Sequence, residues 1–549
     1  MSSWQQEYPR PQLRRNSFLS LNGEWELNGQ RIMLPFPPES SASDFSGEIG
    51  DQLHYERRFM LPSGFYAPGQ RVLLHFGAVD QTCEVFVNGL SVVKHEGGYL
   101  PFSADVTRCL RAGENVLIVE AVDTLSHFYP YGKQRKNRGG MWYTPVSGIW
   151  QSVWLEAVPD KYIKNIHITP DMQGIELKVS TEEKQFSVEI PLTDGVYRQT
   201  FDASRPARID FDDPWLWSPD DPHLYRMMIT AGHDRVETYF ALRTVSFREI
   251  GGVQRLCLND QPIFLNGLLD QGYFEDGIYL PSSPDSYAQD VKNMQELGFN
   301  LLRKHIKIEP ERFYYECDKR GMLVMQDMVN AGGYNFLRDT ALPTAGIQRL
   351  PDRWPWGKKR KAFFEQHCLD TLDHLHNHPC IIAYTIFNEG WGQFDADRMY
   401  DVLKAKDPTR FFDATSGWFT QKKSDVDSLH IYFRNETLRP GKRPMLLSEC
   451  GGYTRAIEGH MFNPGRKYGY GKTDSEEALT QMIGEMYEKM VLPAIPKGLI
   501  GVIYTQVSDV EDEINGLYTY DRTVCKVNKE GLRALAKRAH DALTAAVTA

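Results

Sequence analysis

From about Ile250 onward the chain alternates short β-type apolar runs with helix-type runs, and this alternation limits the possible folds more than any other feature. Ser283 and Pro284 stand as N-cap and first-turn residues, Tyr287, Val291 and Met294 recur on one helical face, and Gly298 closes the helix. Phe299–Arg303 follows as a strand, Pro310 opens a second helix that Gly321 ends, and Met322–Met325 is the next strand. Further strands are predicted at Ile381–Phe387, Arg410–Asp413, Ser428–Tyr432, Pro444–Leu447 and Leu499–Tyr504, with Ile263–Leu265 at the front. Eight such runs in about 300 residues imply a closed (β/α)8 TIM barrel over residues 248–549. The rival is a doubly wound open sheet, but no glycine-rich dinucleotide fingerprint follows an early strand.

Upstream the pattern is all-β. Residues 1–157 carry the runs Arg71–Phe76, Glu84–Val87 (stopping at Asn88-Gly89) and the β-branched Val116–Val122, with turn signals at short intervals, as a β-sandwich requires. Residues 158–247 hold Ile166–Ile168, Ile175–Val179 and Phe186–Ile190, enough for a second, smaller sandwich. Trp215 and Trp217, set among prolines, read as a packed corner in preference to a sugar platform, since tryptophan is highly buried on average.

Net charge is −10, and the 62 basic and 72 acidic residues are mixed, with no basic stripe, so a nucleic-acid partner is not expected. No basic segment followed by an apolar one opens the sequence, and no apolar run approaches the ~18 residues of a membrane span. The eight cysteines are scattered singly, which fits neither a zinc ribbon nor a disulfide framework and points to reduced thiols in a cytoplasmic protein. His374 and His378 share i,i+4 spacing but lack the Glu of a metalloprotease helix, so they read as structural and no metal is expected. The acidic run Asp509–Glu513 reads as a solvated loop, with the entrance to the site as the rival placement.

In a barrel of this kind, chemistry sits at the C-terminal ends of the strands. Two carboxylates occupy such positions: Glu389, after Ile386-Phe387-Asn388, and Glu449, after Leu446-Leu447-Ser448 and before Cys450-Gly451-Gly452. About 60 residues, or three βα units, separate them, which places them on the fourth and seventh strands, facing each other across the mouth. Glycoside hydrolysis needs two such carboxyls flanking the anomeric carbon and no cofactor.

Several motifs carry a more specific resemblance. Asn22-Gly23-Glu24-Trp25, Phe86-Val87-Asn88-Gly89, Ser147–Gln151, Leu216-Trp217-Ser218-Pro219, Phe264–Gly267, Leu301–His305, Asn377-His378-Pro379 and Asn388-Glu389 are similar to motifs of glycoside hydrolase family 2, along nearly the whole chain. That family contains β-galactosidases, β-glucuronidases and β-mannosidases. The resemblance implies a jelly-roll sugar-binding sandwich, an immunoglobulin-like sandwich and a catalytic barrel. It also implies a carbohydrate substrate and, through the sandwiches, a homo-oligomer. By the same resemblance Glu389 is the acid/base and Glu449 the nucleophile of a retaining mechanism, with the carboxyls about 5–5.5 Å apart. Glu389 must then start protonated and Glu449 ionised. Arg303 is placed to donate to Glu449, Tyr432 matches a tyrosine that bonds the nucleophile, and Asn388 a residue for the sugar 2-hydroxyl. His305 fits a histidine near the substrate, Trp391 and Trp418 are candidates for stacking on it, and Asp123 resembles an aspartate that reaches the pocket in some relatives.

Some positions depart from better-known members. Gln326-Asp327-Met328 stands where many have Asp-Glu, which argues against the magnesium site of large β-galactosidases, and Gln506 stands where many have tryptophan. Glu513–Leu517 lacks the lysine of the glucuronidase Asn-x-Lys element. A neutral sugar, galactose first, is therefore expected. A uronic acid met by Lys304 or Lys307 is the alternative, and a non-catalytic carbohydrate-binding relative is the alternative from another class.

Overall fold

The structure is a computed structural model and describes residues 3–347, 352, 356–432 and 434–548. Two β-sandwiches precede an eight-stranded parallel barrel. The first sandwich stacks a six-stranded sheet, which includes Gly23–Leu27, Gln52–Met60 and Glu114–Val122, on a four-stranded one centred on Gln70–Phe76 and Val153–Pro159. Period-2 alternation in Gly23–Leu27 and Glu114–Val122 turns Trp25, Leu27, Leu117 and Val119 into a shared core. Sheets of three and four strands form the second sandwich around Ile166, Leu177, Val188 and Ile229.

The barrel strands are β1 (Leu265–Asp270), β2 (Leu301–Lys304), β3 (Leu323–Asp327), β4 (Ile381–Asn388), β5 (Phe411–Ser416), β6 (Asp427–Ile431), β7 (Met445–Gly451) and β8 (Leu499–Thr505). Hydrogen bonding runs β5-β4-β3-β2-β1-β8-β7-β6, every pair parallel. Seven of these lie on the runs read from sequence; the front strand begins at Leu265, because Gln261–Pro262 is taken up in an antiparallel sheet with Val253–Leu258. β5 and β6 share no backbone ladder among the described residues. Side chains close that seam instead: Ser428 Oγ donates to Asp413 Oδ2 at 2.7 Å and lies 3.3 Å from Ser416 Oγ. The strict βα repetition expected from sequence is also broken here, since no helix among the described residues lies between β5 and β7.

Both sandwiches are bonded into the barrel. Trp217 is buried and its Nε1 donates to Asp318 O at 2.8 Å, so this tryptophan is a packing joint, whereas Trp215, expected to pack with it, is half exposed and stacks on His223. At the opposite end, the first sandwich sends residues 124–147 over the C-terminal mouth, where Tyr131 N donates to Asn330 O and Trp142 meets Trp391 edge-on at 5.1 Å. The acidic run after β8 is part of the same joint. Asp509, Glu511, Asp512 and Glu513 are all buried; Thr144 N donates to Glu511 Oε1 at 2.8 Å and the Tyr143 hydroxyl to Glu513. This corrects the solvated-loop expectation, and the reason is that partners some 370 residues upstream take up these carboxylates. No helix among the described residues is long and apolar enough to cross a membrane.

Candidate active site

Glu389 follows β4 directly, and its backbone takes φ = +52°, a left-handed value that costs a non-glycine residue of order 1–3 kcal/mol. Its N–H donates to Ser416 O at 3.0 Å, which fixes the turn. Glu449 lies within β7 and is buried. Opposite it on the β6–β7 ladder stands His430, just after a register shift between Leu429 and His430 that re-aims the strand. His430 Nδ1 lies 2.8 Å from Glu389 Oε1, and Nε2 lies 3.6 Å from Glu449 Oε1. One ligand atom from each of these three side chains falls within 4.8 Å of the other two. The two carboxylates therefore face each other as β4 and β7 require, with an imidazole between them.

Arg303 organises the surroundings of Glu449. Fully buried at the inner end of β2, its Nη1 donates to Glu449 Oε1 at 3.1 Å and to Ser448 O at 3.0 Å. Nη2 donates to Asn388 Oδ1 at 2.9 Å and Nε to Asp327 Oδ1 at 3.0 Å. The Tyr432 hydroxyl donates to Glu449 Oε2, and the Tyr432 ring stacks on Tyr470 at 4.5 Å. Burial alone would raise the Glu449 carboxyl. The fields of His430, Arg303 and His305, with the Tyr432 hydrogen bond, outweigh it and bring the pKa down to about 2. His305 Nδ1 lies 2.7 Å from Asp327 Oδ2, and burial pulls the imidazole down to about 4 against that partner, so the ring is neutral at neutral pH. Arg303, Asn388, Tyr432 and His305 are thus gathered around Glu449, and half-buried Trp418 lies 5.9 Å from His430, ring to ring.

Three expected site residues are placed elsewhere. Lys304 adjoins Arg303 on a strand, so its side chain takes the opposite face. There its ammonium donates to Asp270 Oδ2 at 2.7 Å and Glu309 Oε1 at 2.8 Å, above the Phe313 ring, and Lys307 also bonds Glu309. Neither is left to meet a uronate. Lys304→Met is expected to lower the Tm, since breaking a buried pair costs about 3–5 kcal/mol, while KM stays near the wild-type value; thermal denaturation and steady-state kinetics check both. Trp391 is buried, donates through Nε1 to Gly332 O at 2.7 Å and is wedged among Tyr131, Trp142 and Tyr334, so its ring offers no open face for stacking. Asp123 accepts from Leu125 N at 2.7 Å inside the first sandwich. Burial and then Asp51 raise its carboxyl to about 6, against the lowering effects of Leu125 N and Lys136. It holds a turn of that domain.

Sequence reasoning passed over His430 and Asp327. Asp327 had a signal, as the last residue of β3, whereas His430 stands just past a register shift that the sequence does not reveal.

Comparison with known proteins agrees with this architecture. Residues 10–159 match the model of the glycosyl hydrolases family 2 sugar binding domain, 161–243 that of glycosyl hydrolases family 2, and 253–445 that of the family 2 TIM barrel domain. A β-galactosidase of Thermoanaerobacter pseudethanolicus is 26% identical over 368 residues, covering 62% of this chain and 45% of its own. One of Aeromonas hydrophila is 28% identical over 409 residues, covering 69% and 37%. The chain thus spans less than half the length of these curated relatives. A solved β-D-glucuronidase of Dictyoglomus thermophilum superposes with a TM-score of 0.76 at 19% identity, covering 97% of this chain and 98% of that one, a likeness of fold. With matches to three domain models in sequence order, together spanning most of its length, the chain belongs to glycoside hydrolase family 2.

Proposed function

We propose that the protein is a retaining, exo-acting β-glycosidase that releases a terminal sugar by double displacement. The observation that carries this is the pair of carboxylate oxygens, from Glu389 and Glu449, within 4.8 Å of each other. Retaining glycosidases hold their carboxyls about 5–5.5 Å apart, whereas inverting ones leave about 6.5–9.5 Å for a water. In the first step Glu389 gives its proton to the departing oxygen while ionised Glu449 bonds to the anomeric carbon. In the second, water attacks that carbon, gives its proton to Glu389, and releases Glu449. Asn388, its Oδ1 taken by Arg303, has its NH2 for the sugar 2-hydroxyl. Glu389→Ala is expected to lose about 10²–10⁴-fold on poor leaving groups and little on 2,4-dinitrophenyl glycosides, which need no acid; kcat/KM against leaving-group pKa measures this.

A neutral sugar, galactose first, is the preferred glycone. Lys304 and Lys307 are spent in ion pairs, and the wall after β8 offers the amides of Gln506 and Asn515, 2.8 Å apart, and the Glu513 carboxylate, without a glucuronidase lysine. One observation favours a uronic acid instead. Lys133, from the loop of the first sandwich, lies close enough to the site for its charge to act on both Glu513 and His305. Nitrophenyl β-galactoside, β-glucuronide, β-galacturonide and α-arabinoside decide the matter: fastest turnover of a uronide would overturn the neutral-sugar preference, and turnover of none would overturn the enzyme. The eight free thiols fit a reducing, cytoplasmic setting.

A further inference from the structure

His430 has more contacts than a barrel residue needs for packing. Its side chain is fully buried, Nδ1 meets Glu389 at 2.8 Å, and Nε2 meets Ser416 Oγ at 3.0 Å with Glu449 Oε1 at 3.6 Å. Ser416 Oγ in turn lies 3.1 Å from Ser448 Oγ and 3.3 Å from Ser428 Oγ, and Ser428 donates to Asp413. This hydroxyl chain occupies the seam where β5 and β6 lack a backbone ladder, so it grips the ring where the sheet cannot. Gly417 (φ = +83°) completes the slot: a Cβ there would stand 2.5 Å from His430 Cγ.

We propose that His430 is a positioning residue that ties the two glutamates together, holding a ring nitrogen against whichever carboxylate carries the negative charge. The inference rests on the roles assigned above to Glu389 and Glu449. Before the first step the charge is on Glu449. As the Glu449 oxygen bonds to the anomeric carbon and the aglycone C–O bond breaks, the departing oxygen takes its proton from Glu389, and the charge moves there. When water attacks, its proton goes to Glu389 and the ester bond's electron pair returns to Glu449. The ring stands against both positions throughout and needs no movement, which is electrostatic preorganisation. The charged and titratable groups around it are Glu389 after β4, Glu449 on β7, Asp413 on β5, Arg303 on β2 and Tyr432 beyond β6.

Two measurements test this. In His430→Gln, kcat/KM for an aryl β-glycoside is expected to fall about 10–100-fold. The acid limb of its pH profile is expected to move up by about 1 unit or more, because Glu449 loses a neighbour that favours its ionised form. A uniform loss with unmoved limbs would mean a filler of the seam and overturn the proposal. Independently of turnover, and of whether His430→Gln folds, the ring ¹⁵N signals of His430 are expected to shift in both Glu389→Gln and Glu449→Gln. Signals that respond to only one substitution, or to neither, overturn it. If the wild type cleaves no aryl glycoside, the glycosidase assignment fails, while the nitrogen signals still decide whether the ring couples the two carboxylates.

Discussion

Glu449→Ala is expected to lower kcat/KM by about 10⁴-fold or more, and added azide is expected to restore turnover with inverted configuration. The size follows from the loss of the proposed nucleophile, at 1.36 kcal/mol of barrier per tenfold in rate. The stereochemistry follows from geometry. Removing the carboxylate leaves a space next to Arg303 Nη1 and the Tyr432 hydroxyl, both donors to Glu449 in the wild type, and a small anion fits between them. Azide then attacks from the face Glu449 used, in a single displacement, and Glu389 is still present to protonate the leaving group. Proton NMR of the anomeric signal reads the outcome. A glycosyl azide of retained configuration would show that the two glutamates have been assigned the wrong way round.

Arg303→Met is expected to damage stability and activity together. The guanidinium is fully buried and divided between Asp327, Glu449, Ser448 O and Asn388. Methionine fills much of the volume but leaves two buried carboxylates short of a partner, a loss of about 3–5 kcal/mol. The pH dependence has a definite sign. A carboxyl depressed to about 2 contributes stability that is present above its unfolded value of about 4.3 and lost as pH falls from there through about 2. Without Arg303 the folded pKa rises, less of that stability exists, and it is lost at higher pH. The Tm at pH 5 should fall, and the acid limb of kcat/KM should move upward. Arg303→Lys should recover part of the charge effect but not the fork that spans Asp327 and Asn388. An unchanged Tm and acid limb in Arg303→Met would contradict the role assigned here.

Arg303 and Lys304 show how far sequence reasoning reaches. Both are cations at the end of a legible strand, and composition does not separate them. Alternation puts them on opposite faces, but which face is inside depends on the register of β2 against β1 and β3. That register makes Arg303 a partner of Glu449 and buries Lys304 against Asp270 and Glu309. His430 was hidden for a related reason: the irregularity between Leu429 and His430 leaves no mark in a sequence read by period. Asp509–Glu513 misled because acidic runs are usually solvated, and nothing local reveals Tyr143 and Thr144 arriving from another domain.

The sequence alone determined the strand-and-helix alternation, the two sandwiches ahead of it, and a glutamate at the end of the fourth strand and another on the seventh. These are local properties, set by side-chain periodicity and turn chemistry within a few residues. Only the tertiary structure decided that the glutamates face each other with His430 between them, that Arg303 serves one of them, and that Lys304 is taken up by Asp270 and Glu309, Trp391 by its aromatic neighbours and Asp123 by a turn of the first sandwich. Those facts depend on register, bulges and domain joints between residues far apart in the chain, where a shift of one residue turns every side chain of a strand to the other face.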